Sequence, residues 1–121
     1  MTEKSAFLEI EGSSPKNKVL DFLIVSQDFD YSLKDIAKFS NVSYPSVKQL
    51  KKELLKDKWI TLVRKVGRAQ MYRLNIKNKK VQKFIEFYWA VVDEQVERNL
   101  GIKNKQDFGA NTSIAVSAKN V

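Results

Sequence analysis

Leu33-Lys34-Asp35-Ile36-Ala37-Lys38-Phe39-Ser40-Asn41-Val42-Ser43-Tyr44-Pro45-Ser46-Val47-Lys48-Gln49-Leu50 is an apolar pattern of helical period that breaks once, at Asn41. Ser32, just before it, stands at a helix cap, with Asp35 three residues on in place of the usual Glu. Leu33, Ile36, Ala37 and Phe39 give the first helix an apolar side that ends near Ser40. Asn41 falls where a tight turn needs a residue that tolerates a left-handed backbone. Ser43 caps a second helix expected over 43–58, in which Pro45 lies inside the first turn and Val47, Leu50, Leu54 and Leu55 point inward. Small Ala37 allows the two helices to cross closely, and Val42, Val47 and Leu50 lock the second against the first.

Upstream, Pro15 suits the first position of a helix over 15–26 capped by Ser14, with Val19, Leu20, Phe22, Leu23 and Ile24 as its broad apolar face. Residues 1–13 read as an arm or short strand ended by Gly12-Ser13-Ser14-Pro15. The segment 27–31 reads as a connecting loop, and its Asp28 and Asp30 are turn formers rather than a metal site. Downstream the period changes. Residues 59–66 and 70–76 are β-branched and aromatic, with a tight tip at Val66-Gly67-Arg68-Ala69 between them. A long helix is expected over 79–100, stopped by Gly101, and 101–121 reads as a flexible tail.

The charge is segregated. The chain of 121 residues carries 22 basic and 14 acidic residues, and positions 48–83 alone hold 13 basic and two acidic ones, a local charge of +11 beside a remainder of −3. Such a field attracts polyanions and speeds their encounter. Arg64, Lys65, Arg68 and Arg73 lie on or beside the hairpin, and no acidic residue occurs between 58 and 82. Like charges so close repel, which predicts an anionic partner.

The order helix, helix, turn, helix, hairpin, with Leu33, Ile36, Ala37, Asn41, Val42, Val47 and Leu50 at these spacings, resembles the helix-turn-helix of DNA-binding proteins. Asn41 replaces the glycine most often found at the turn. With Leu54-Leu55-Lys56-Asp57-Lys58-Trp59-Ile60, Arg64-Lys65-Val66-Gly67-Arg68 and Met71-Tyr72-Arg73-Leu74, the chain is similar to the winged helix-turn-helix superfamily in its ArsR-like and MarR-like forms, small archaeal, plasmid or viral dimeric regulators among them. The resemblance implies an α+β fold: a winged helix-turn-helix over 14–76, three helices plus a β-hairpin wing, and a C-terminal dimerisation helix over 77–100. It places the helix that starts at Ser43 in the major groove of duplex DNA. Ser43, Tyr44, Ser46, Lys48, Gln49 and Lys52 are then its open face, with Gln49 suited to adenine and the lysines to guanine or phosphate. Arg64, Lys65, Arg68 and Arg73 of the wing complete the expected DNA-binding set, Arg68 reaching the minor groove or its phosphates. Trp59 and Tyr72 are expected in the core rather than stacked on bases.

The last helix has a wider apolar face than one packing surface requires. Phe84, Phe87, Tyr88, Val91 and Val92 are its expected dimer seam, which predicts a homodimer reading an inverted repeat in double-stranded DNA.

Several function classes are excluded by composition. With no cysteine and no histidine, the chain lacks thiolate nucleophiles, imidazole bases and the common zinc and iron ligand sets, the metal site of ArsR sensors included. No catalytic or metal residue is assigned, no cofactor is expected and the protein is not expected to be an enzyme. The longest apolar run, Phe22-Leu23-Ile24-Val25, is too short for a membrane span, and no signal peptide is visible, so a cytoplasmic, nucleoid-associated protein is expected. The leading function is a dimeric, sequence-specific transcription regulator whose small-molecule effector the sequence does not name. Its rivals are a plasmid or viral partition or replication protein and a winged-helix protein-interaction module.

Overall fold

The computed structural model describes residues 4–101 and divides at Tyr88 into two compact units. Among the described residues the elements run α1 (Ala6–Glu11), α2 (Pro15–Val25), α3 (Leu33–Ser40), α4 (Tyr44–Lys56), β1 (Ile60–Val66), β2 (Ala69–Leu74) and α5 (Lys79–Leu100). Most of the expected tail lies outside the described residues. No helix among those described is long and apolar enough to cross a membrane.

The caps are where serine spacing puts them. Ser14, Ser32 and Ser43 accept from the backbone N–H three residues on, at 3.1, 3.2 and 3.3 Å. Each satisfies one of the donors that a helix start leaves open. Asn41 adopts the left-handed conformation (φ 60, ψ 45), and the Val42 N–H reaches back to the Ala37 carbonyl at 3.0 Å, which closes α3 and aims the chain into α4. The same device ends α4. Lys58 takes φ 63, and the Lys58 and Trp59 N–H groups donate to the Leu55 and Leu54 carbonyls at 3.1 and 2.8 Å.

The expected N-terminal arm or strand is instead the helix α1. Ser5 caps it, accepting from Leu8 N–H at 3.1 Å. Phe7 is only 3% exposed, edge-on to Phe84 (5.4 Å) and tilted against Tyr88 (5.3 Å). Six residues cannot sustain a helix alone, so this burial decides the conformation. Asn17 then ties the α1–α2 turn, its Nδ2 donating to the carbonyls of Glu11 (3.2 Å) and Gly12 (3.1 Å).

The core of the first unit joins Val19, Leu20, Leu23 and Ile24 of α2 with Ile36, Ala37, Val47, Leu54, Ile60, Leu74 and Val81. Leu50, expected inward, is half-buried, while Leu55, also expected inward, stays 36% exposed on the far side of α4. β1 and β2 pair antiparallel from Ile60 opposite Leu74 to Val66 opposite Ala69, with an extra residue, Val63, between Leu62 and Arg64. Gly67 takes φ 60 at the first position of the two-residue tip, a conformation that asks for glycine. Tyr31, in what the sequence presented as a plain loop, bridges to Tyr72 of β2. In the second unit, Arg98 and Glu94 form an exposed ion pair at 3.6 Å along α5.

Candidate nucleic-acid interface

Helix α4 buries Val47 and Leu54 and leaves the opposite face open. Lys48, Gln49 and Lys52 are all exposed there, as the sequence predicts. Ser43 and Ser46 are mostly engaged with each other: the Ser43 hydroxyl donates to Ser46 Oγ at 2.9 Å while capping the helix. Tyr44 is 37% exposed and lies between two lysines, with Lys48 Nζ 5.0 Å and Lys34 Nζ 5.9 Å from its ring centroid. The cations favour the negative ring face, and the arrangement holds the first turns of α3 and α4 together.

Between these turns and the hairpin runs an open groove of about 500 Å³, lined by Ser32, Leu33, Lys34 and Tyr44 on one side and Lys65, Arg68, Ala69, Gln70 and Tyr72 on the other. Three cations therefore face one groove with no acidic side chain on its lining. Lys34 is absent from the expected set: it lies in the first turn of α3 beside Asp35, and its local sequence does not mark it as a residue of the groove.

The four cations expected of the hairpin divide. Lys65 and Arg68 are exposed, Arg68 at the tip. Arg64 is committed: its Nε donates to Asp30 Oδ2 at 2.8 Å and its Nη2 to Asp30 Oδ1 at 3.1 Å. The Arg64 guanidinium holds the Asp30 carboxyl below the usual carboxylate range. Arg73 turns into the body of the unit, its Nη2 donating to the Gln27 carbonyl at 2.9 Å. Neither arginine stands as the free cation the sequence predicts, because the missing counter-charge and acceptor come from the 27–31 segment.

Trp59 and Tyr72 serve the fold. Tyr72 is 2% exposed, and Trp59 is half-buried, edge-on to Phe84 at 5.2 Å with Lys80 Nζ 4.5 Å from its ring centroid. The expected dimer residues also divide. Phe87 is 45% exposed and Phe84 and Val92 are half-buried, whereas Tyr88 is 2% and Val91 8% exposed, so the last two offer no open surface. The Tyr88 ring packs on Phe7 and Phe84, and its hydroxyl is satisfied there by Asp21 Oδ1 at 2.7 Å.

No protein-family model and no curated protein sequence matches this chain. Solved structures do. MepR, a transcription regulator of the Staphylococcus aureus multidrug efflux pump MepA, is similar at a TM-score of 0.59 and 19% identity, over 84% of this chain and 73% of that one. The homodimeric winged helix-turn-helix DNA-binding domain Mb0332 of Mycobacterium bovis, a possible ArsR-family transcriptional regulator, is similar at 0.52 and 19%, over 69% of this chain and 72% of that one. The chain has the winged helix-turn-helix fold. A point mutant of MepR bound to an oligodeoxyribonucleotide aligns at 0.56 and 18% identity, over 84% of this chain and 73% of that one. In the terms of this fold the β1–β2 hairpin is the wing and α3 and α4 are the helix-turn-helix.

Proposed function

We propose that the chain is a homodimeric, sequence-specific double-stranded DNA-binding protein that regulates transcription as a cytoplasmic, nucleoid-associated protein. The observation that carries this reading is the convergence of Lys34, Lys65 and Arg68 on one groove beside the open Lys48, Gln49 and Lys52 face of α4. Cations from three elements supply phosphate contacts that fix register, and Gln49 supplies a base contact that distinguishes sites. The fold is shared with transcription regulators, one of them bound to an oligodeoxyribonucleotide and one homodimeric, which supports the same reading.

Pairing is assigned to α5 because Phe87 leaves its ring 45% exposed on a helix that is already packed through Tyr88. Two-fold pairing sets two recognition helices on one face of the duplex, so the preferred site is an inverted repeat with half-sites about one helical turn, ~10 base pairs, apart. Selection from random duplexes tests the proposal directly. An enriched inverted repeat supports it, and the absence of any enriched sequence removes sequence-specific binding.

A further inference from the structure

Between α2 and α3 the chain passes over the root of the wing and grips both of its strands. Tyr31 exchanges two backbone hydrogen bonds with Tyr72 of β2, each 2.8 Å long. The Gln27 carbonyl accepts from Arg73, also on β2, at 2.9 Å. Asp30 holds β1 by its two-point bond to Arg64, and its side chain is 13% exposed where that of Arg64 is 60% exposed. Arg64 is the residue at which strand register resumes after the extra Val63. A bulge bends a strand and increases its twist, so this is where the direction of the wing is set. One residue beyond Tyr31, Ser32 caps α3, so the segment that grips the wing also begins the helix-turn-helix.

We propose that Asp30 is a positioning residue of the interface, one that fixes the angle of the wing against α4 by holding Arg64 at the bulge, so that Arg68 and Gln49 meet a single duplex together. The proposal rests on the DNA-binding reading above. A partly exposed ion pair adds little to stability, but a guanidinium held by both carboxylate oxygens is fixed in plane and direction. Electrostatics alone assigns Asp30 the opposite effect. Removing an anion from a basic face strengthens attraction to a polyanion, whereas removing a positioning residue weakens binding to the site that needs the correct angle.

The test uses Asp30→Asn in the full chain, with folding checked by circular dichroism. Because the chain has no cysteine, Val66→Cys on the wing and Lys56→Cys on α4 place two spin labels on one chain, and mixing with excess unlabelled protein leaves one labelled chain per homodimer, so that the distance distribution reports the wing angle without DNA. In the unaltered background the distribution is expected to be narrow, and Asp30→Asn should broaden or shift it. Affinity for the selected duplex should fall about tenfold while affinity for unrelated duplex holds or rises. Arg64→Gln should act in the same direction, and the double variant should lose little more than either single one. Exchange of the pair, Asp30→Arg with Arg64→Asp, should restore the narrow distribution. An unchanged distribution in Asp30→Asn, or affinity for the selected duplex equal to or above that of the unaltered protein, overturns the proposal. Failure of the unaltered protein to bind any duplex overturns the DNA reading instead, and the label distances still judge the role of Asp30.

Discussion

The Tyr88 hydroxyl donates a 2.7 Å hydrogen bond to Oδ1 of Asp21, 67 residues earlier, and the same oxygen accepts from the Ser5 hydroxyl at 2.7 Å. One carboxylate thus joins α1, α2 and α5 within the first unit. A hydrogen bond to a charged group contributes roughly 1.5 to 3 kcal/mol, and its loss leaves a part-buried carboxylate with one donor fewer. Tyr88→Phe should lower unfolding stability by about 1.5 kcal/mol. A urea titration unchanged in midpoint would show that the bond contributes nothing.

Alkaline pH should weaken the fold through the same residue. Burial, and then the adjacent Asp21 carboxylate, push the Tyr88 phenol well above its ordinary value, and burial raises Tyr72 as well. An unfolded tyrosine ionises near ~10. Below that pH the stabilisation is complete; above it the unfolded chain releases protons that the folded chain keeps, and stability falls until the folded values are passed. Urea midpoints measured between about pH 9 and about pH 11 should decline, and decline less steeply in Tyr88→Phe.

Lys58 closes α4 at φ 63, a conformation that costs a side chain with a Cβ about 1 kcal/mol and glycine almost nothing. Lys58→Gly should therefore stabilise the protein by roughly 0.5 to 1 kcal/mol. Lys58 is not among the residues that line the groove, so the loss of its charge should leave DNA affinity little changed. A lower denaturation midpoint would contradict the strain at this turn.

Phosphate and base contacts should separate by salt and by sequence. With Lys34, Lys48, Lys52, Lys65 and Arg68 of each protomer on phosphates, ~10 contacts per dimer, log affinity should fall against log salt with a slope near −9. Lys34→Ala and Arg68→Ala, each removing one contact per protomer, should each reduce that slope by about 2 on any duplex. Gln49→Ala should cost roughly 1 to 3 kcal/mol on the preferred site alone. Equal losses on preferred and unrelated duplexes would remove Gln49 from base readout.

Phe87→Glu should produce monomers without unfolding, since its ring is 45% exposed before any pairing. Charge at the centre of an apolar seam opposes association, and a monomer contacts only one half-site. Sedimentation should show half the mass of the unaltered protein. An unaltered protein that sediments as a monomer at micromolar concentration would contradict pairing.

The helices from α2 to α5 and the tip of the wing were legible in the residues because their causes are local. Serine caps act over three residues, Asn41 bends its own backbone, and Gly67 supplies a conformation that its neighbours disfavour. Helical period placed Lys48, Gln49 and Lys52 on the open face of α4, although it also turned Leu55 inward, which stays exposed. Folding in three dimensions settled the rest. Helix α1 is too short to nucleate by itself and forms where Phe7 meets Phe84 and Tyr88, a contact that spans most of the chain. Arg64 and Arg73 differ little from Arg68 in sequence context, yet partners 34 and 46 residues earlier take them out of the free cationic set. Lys34 enters that set because the chain fold brings α3 to the wing. Local propensity fixes where an element starts and which face it shows, while the fate of a charge depends on partners that only chain folding brings within reach.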